Sequence, residues 1–348
     1  MKKSILELYR FIFVLLIMLH HVQHLLGAAP EHYLDEGWIF VEFFFILTGI
    51  LTTAHFARRT TVPSTVGGSS EAACELKGLI TYMFVKFARL LPYVALAVTS
   101  EYVIRLCNHA YSKKELLSLM ERYVMELLLL TSSGLATPTV GSLWYLSALM
   151  LVFPVFCIIL SYPKSRNIWM VIGWSVALWF YGRVGLEGQT ETPYNLLRAF
   201  MCLSMGASVY LIANKVSRYE VKKITRVMLT ILEEGSFLLA IVLTLAENGN
   251  KPFIFICFIV GLTCVFSGKT YSSEISNKFL NYLGELSMVL YVLHWPIITF
   301  LNSYYGGLDI YIRTILFVGS SVVISVVALI LVKKSGFNQK MKGLIGNA

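Results

Sequence analysis

Long apolar runs separated by short polar segments recur from one end of the chain to the other. They fall at 5–26, 36–56, 88–107, 142–161, 167–184, 195–214, 228–246, 252–268, 279–302 and 311–333. Each approaches the ~20 residues that an α-helix needs to cross the ~30 Å hydrocarbon core. No strand-rich segment, internal repeat or soluble domain interrupts them. Because lipid offers no partner to backbone N–H and C=O groups, the pattern predicts an all-α polytopic membrane protein with about ten transmembrane helices. Residues 110–141 stand apart. Leu127-Leu128-Leu129-Leu130 is apolar but short, and it ends in Thr131-Ser132-Ser133-Gly134.

Charge gives the series a direction. The net charge of +9 raises the possibility of a nucleic-acid partner, but the cations lie in short segments between apolar runs, which is the positive-inside pattern. Lys2, Lys3, Arg58, Arg59, Lys77, Lys86, Lys164 and Arg166 fall on one side. So do Lys215, Arg218, Lys222, Lys223, Arg226, Lys269, Lys278, Lys333 and Lys334. The other side receives Glu31, Asp35, Glu36, Glu187, Glu191, Glu247 and Asp309. This alternation places both termini in the cytoplasm and holds only if 110–141 does not cross. That segment is therefore an outer cap or re-entrant piece, with Glu115, Glu121, Arg122 and Glu126 marking a partly solvated amphipathic helix. The chain divides into one integral-membrane domain over 1–334 and a short cytoplasmic tail, 335–348. The start, Met1-Lys2-Lys3 and an apolar run, mimics a signal peptide, but the run is long and lacks a small-residue cleavage site. It reads as a retained helix. The loop 57–76 is a polar connector, and 78–89 reads as a helix at the inner surface. The six cysteines, most of them inside apolar runs and none in a C-x-x-C pair, read as small core residues; neither a disulfide framework nor a zinc site is implied.

A few polar residues lie inside the runs, where they are costly and point to function. Arg10 and His21 share the first run. At ~100° per residue their side chains fall within ~20° of one another, roughly 16 Å apart along the axis. Histidine titrates near neutrality and can take a proton from a hydroxyl. His20 and His24 flank His21 and read as interfacial residues near the helix end; their i, i+4 spacing also suits a metal or haem, but no Cys or Asp cluster completes a site. Glu42, beside Phe43-Phe44-Phe45, must be neutral or paired. The topology assigns it to the outer half, at a depth matching His21, where it would orient the imidazole. His294, beside Pro296 in 279–302, also lands toward the outside, with Ser287, Tyr291 and Ile298 on its face. Pro296 should kink that helix. Lys86 and Arg89 are three residues apart at the inner surface, a pairing that suits phosphates as well as the positive-inside rule. Trp144 and Tyr145, in Gly141-Ser142-Leu143-Trp144-Tyr145, stand at the outer start of a span, where an aromatic belt is the alternative.

Taken in order, these blocks resemble the membrane-bound acyltransferase 3 family, the bacterial O-acyltransferases of surface polysaccharides. The blocks are Arg10 with His21, Glu42-Phe43-Phe44-Phe45-Ile46-Leu47-Thr48-Gly49, Lys86-Phe87-Ala88-Arg89-Leu90-Leu91-Pro92, Leu143-Trp144-Tyr145-Leu146 and Tyr291-Val292-Leu293-His294-Trp295-Pro296. The resemblance implies transfer of an acyl group, usually acetyl, from cytoplasmic acyl-CoA to a hydroxyl of a saccharide or its lipid-linked precursor. It also implies a multi-pass protein of the bacterial inner membrane. In the family the helix-one arginine and histidine are the functional pair, and the R-x-x-R block belongs to the CoA end. Here Lys86 replaces the first arginine, which weakens bidentate phosphate recognition. Ala148 and Leu149 follow where some members carry an acidic pair. No fused hydrolase-like domain is expected after the helices, so any step beyond the membrane falls to them or to a partner.

The resulting expectation has His21, Glu42 and Arg10 as catalytic residues. Lys86, Arg89 and Arg10 hold acyl-CoA as a co-substrate, with no permanently bound cofactor. Trp144, Tyr145, Tyr291 and His294 shape the acceptor pocket. An acyl-His21 intermediate is the alternative to general-base catalysis. Two rival classes share some of these features. A transporter or flippase of an anionic or lipid-linked sugar would use the same cationic entrance. A membrane haem or quinone protein would use the histidines.

Overall fold

The computed structural model describes residues 3–25, 34–59, 69–135, 137–180, 191–246, 250–337, 339 and 341. Among the described residues there are helices and no strand. They are α1 (Ser4–His20), α2 (Phe40–Arg59), α3 (Ser69–Ala88), α4 (Leu91–Asn108), α5 (Lys113–Leu127), α6 (Trp144–Ser161), α7 (Pro163–Trp179), α8 (Tyr194–Ser217), α9 (Lys223–Leu245), α10 (Lys251–Ser267), α11 (Lys278–Tyr305) and α12 (Ile310–Lys334). A 3-10 turn, His21–His24, extends α1, and another, Asp35–Ile39, leads into α2. Lys2, Glu31, Glu187 and Glu247, part of the connector 57–76, and most of the tail 335–348 lie outside the described residues.

Over the described residues the apolar runs coincide with helices, but not all are equally able to span. Among the described residues, seven helical segments are long and apolar enough to cross a membrane, built on α1, α2, α6, α8, α9, α11 and α12. An eighth results if α3 and α4 form one span, bent by 45° between Ala88 and Leu91. Pro92 lies in the first turn of α4. It has no N–H to give the Ala88 carbonyl, so the helix cannot run through unbroken. The remaining two runs are the shorter apolar helices Asn167–Trp179 and Lys251–Ser267. The protein is a multi-pass membrane protein.

Two contacts organise the bundle. α2 lies against α8, and α1 against α11. At the first, a side chain on Gly49 would run into the Leu203 backbone, and one on Gly206 into that of Ile46 and Ile50. Small residues let the two backbones touch, which is how helices associate where lipid supplies no hydrophobic drive. The second contact is parallel. Ser4 Oγ donates to Asn281 Oδ1 at one end, and Asn302 Nδ2 donates to the His24 carbonyl at the other. α9 and α12 are the least enclosed spans. They turn Met228, Ile231, Ile315 and Val323 outward, as lipid-facing helices do.

The atypical segment begins as α5, which opens with a capping box between Ser112 and Glu115. α5 runs back along α4. Its Tyr123 hydroxyl is 3.1 Å from Thr99 Oγ1, and its ring is edge-on to Tyr102. Glu126 then ties down the following turn by accepting from the backbone N–H groups of Thr139 and Val140.

Candidate active site

α1 turns a single stripe toward α11, and the site is built along it. Near the Ser4 end, Arg10 Nη1 donates to Glu7 Oε2 at 2.5 Å, one turn away. Glu7 fits there because α11 presents Gly284; any side chain at that position would meet the Glu7 carboxylate. Arg10 Nε is buried and has no hydrogen-bond partner among the described residues. The cation is thus held by one bond, with donor capacity left over.

One turn further, Val14, Val41, Phe44, Tyr145, Met288 and Tyr291 line a small apolar void. Tyr145 and Tyr291 meet edge to face at 5.5 Å, and the Tyr291 hydroxyl donates to the Ser142 carbonyl at 2.8 Å. Beside this layer sits Glu42, fully buried. Arg198 Nε donates to its Oε1 at 2.6 Å, and the Cys202 thiol donates to its Oε2 at 3.2 Å. The Arg198 guanidinium lies between indoles, 4.6 Å from the Trp144 ring and 5.1 Å from that of Trp38.

At the far end of the stripe, the His21 and His294 rings meet with centroids 5.0 Å and planes 13° apart, and His21 Nδ1 is 2.9 Å from His294 Nε2. His294 Nδ1 reaches the Tyr291 carbonyl at 2.8 Å and that of Leu290 at 3.3 Å. The Trp295 indole stands edge-on to His21 at 5.2 Å and packs 5.1 Å from His24. His20 turns aside, its Nδ1 donating to the Leu34 carbonyl at 3.0 Å. Among the described residues no three His, Cys, Asp or Glu side chains converge as a metal site.

The structure therefore brings together His21, His294, Tyr291 and Arg10 along α1 and α11, with Tyr145 reaching in from α6. Glu42 requires a correction. The sequence places it level with His21 as its orienting acid, but its partners are Arg198 and Cys202. The chain re-enters after α1 level with His20 and then descends, so that Phe40 and Phe43 pack on Phe13 at 4.6 and 4.7 Å. Glu42 shares that level. His21 lies eight residues beyond Phe13, ~12 Å further along the axis. Lys86 and Arg89 also part company. Lys86 points inward over the Tyr82 and Phe153 rings, at 5.1 and 5.3 Å, whereas Arg89 is exposed at the α3–α4 break.

Sequence reasoning missed Arg198, Glu7 and Cys202. Arg198 carried a usable signal, because it is an ionisable residue within the apolar run 195–214 and falls under the same rule that singled out Arg10. The role of Gly284 had no such signal, since it depends on which helix packs there.

A sequence model of a family described as an acyltransferase domain, that of acyltransferase 3, matches residues 4–333. Searches of curated proteins and of solved structures returned no significant match.

Proposed function

Because this chain belongs to the acyltransferase 3 family and is an acyltransferase, we propose that it moves an acyl group, acetyl in the first instance, from cytoplasmic acyl-CoA to a hydroxyl of a cell-surface saccharide or its lipid-linked precursor. On this reading the Ser4 end faces the cytoplasm of a bacterium and the protein sits in the inner membrane. The carrying observation is the α1–α11 stripe. It has an incompletely bonded guanidinium at one end, a paired histidine at the other, and an apolar void between them.

The chemistry follows from that order. Phosphate or pantetheine oxygens of the donor meet Arg10, with Arg89 and Lys86 nearer the entrance. The thioester arm runs past Tyr145 and Tyr291 toward His21. His21 Nε2 has no partner among the described residues and takes the proton of the acceptor hydroxyl. The hydroxyl oxygen attacks the thioester carbonyl, the carbon–sulfur bond breaks, and the thiolate leaves and is protonated. The products are an ester and free CoA.

Release of free CoA by the purified protein, with an added saccharide acceptor, tests the reading. Acceptor-dependent CoA release that is lost in His21→Ala supports it. Sugar movement across vesicles without thioester consumption points to a transporter, and near wild-type turnover of His21→Ala removes the base.

A further inference from the structure

We infer that His294 is a positioning residue, which fixes the ring tautomer of His21 and thereby decides which His21 nitrogen is the base. The inference rests on the acyl-transfer reading of His21 given above. The hydrogen bonds determine the tautomers by elimination. A carbonyl oxygen only accepts, so His294 Nδ1, set against the Tyr291 and Leu290 carbonyls, must carry the proton. A carbonyl has two lone pairs, so Tyr291 can accept this bond and still receive its helical N–H. A neutral imidazole holds one N–H, which leaves His294 Nε2 as an acceptor. That nitrogen faces His21 Nδ1 at 2.9 Å, so His21 Nδ1 is the donor. The His21 proton is then spent on His294, and its lone pair resides on Nε2.

This is the work an acidic residue does in a serine-hydrolase triad, done here by a second imidazole anchored to its own helix. When His21 Nε2 takes the hydroxyl proton, the ring becomes cationic. Its bond from Nδ1 to His294 Nε2 then becomes charge-assisted and stronger. His294 keeps its own proton on the backbone side throughout, so no second transfer is needed. The near-parallel planes of the two hydrogen-bonded rings, 13° apart, and the edge of Trp295 against His21 restrain the imidazole from flipping. His294 thus leaves the acceptor-pocket role that its sequence position implied and acts through His21.

Nitrogen-15 NMR of histidine-labelled protein, compared among wild type, His294→Ala and His294→Gln, tests this directly. Glutamine is the informative substitution, because its Oε1 still accepts from His21 Nδ1. The expected result is a His21 with Nδ1–H and bare Nε2 in wild type and H294Q, and a tautomer mixture in H294A. Alongside it, kcat falls by about 10² in H294A, the scale of a positioned base, with KM for acyl-CoA nearly unchanged, and is largely restored in H294Q. An unchanged His21 tautomer in H294A, or H294Q no better than H294A, overturns the inference. Full activity in His21→Ala would instead remove the base reading while the nitrogen shifts still report on the pair.

Discussion

Arg198 and Glu42 form a fully buried ion pair, with Arg198 Nε 2.6 Å from Glu42 Oε1 and the guanidinium between the Trp38 and Trp144 indoles. The pair joins α2 to α8 where glycines let those helices touch. Removing one charge strands the other in a dry interior. Arg198→Ala should therefore destabilise the protein by about 3–5 kcal/mol, whereas replacing both partners by Glu42→Gln with Arg198→Met should recover most of that loss. Thermal unfolding of the two variants in detergent reads the difference. A double variant as unstable as Arg198→Ala would show that the charges themselves are needed.

Gly284 is the seat of the Glu7–Arg10 pair. Gly284→Ala places a methyl group against Glu7 and turns Arg10 away from its present position. KM for acyl-CoA should rise by about tenfold, ~1.4 kcal/mol of donor binding, with a smaller change in kcat. Steady-state kinetics with varied acyl-CoA checks this, and an unchanged KM would detach Arg10 from the donor.

Lys86 and Arg89 should separate in their effects. Arg89 is exposed, so Arg89→Ala should raise KM for acyl-CoA and leave the unfolding temperature alone. Lys86 packs over two rings, and a cation over a ring contributes about 0.5–2 kcal/mol. Lys86→Ala should therefore lower the unfolding temperature as well. Equal loss of stability in both would contradict the division.

Glu126 predicts a pH effect outside the membrane spans. Burial raises its carboxyl above the ordinary carboxylate value, against the backbone N–H bonds from Thr139 and Val140 that lower it. A raised native value means that the folded protein holds the proton more tightly than the unfolded chain. Its contribution to stability is full below the unfolded value and is lost as pH rises through the native one. Unfolding temperature should therefore fall more steeply with rising pH over that window in wild type than in Glu126→Gln. Parallel curves would mean that the carboxyl is already ionised there.

Some of this was legible residue by residue. Apolar run length located the ten apolar helices, because lipid forces the backbone to satisfy itself locally, but not the start of α3, which begins at Ser69 inside the segment read as a polar connector. The spacing of Arg10 and His21 put both on one stripe of α1, which helical period alone determines. The misreading of Glu42 had a definite cause. Loop charge alone sets Glu42 level with His21, whereas the chain lies level with His20 at Leu34, before α2 begins. The bend at Pro92 and the shortness of α7 and α10 likewise reduce the spans that length and composition support from about ten to seven or eight.

Ten apolar helices, the membrane and the costly residues within the apolar runs are legible in the chain alone, because each follows from local period or from transfer into lipid, and the family from the order of its motif blocks. The tertiary structure decided the partners. The Glu7 carboxylate that holds Arg10 has room because α11 offers a glycine there, Glu42 meets Arg198 because α2 and α8 touch, and His21 meets His294 because α1 and α11 run parallel in register. The last two pairings join residues 156 and 273 positions apart, and only the packing of whole helices brings them within hydrogen-bond reach.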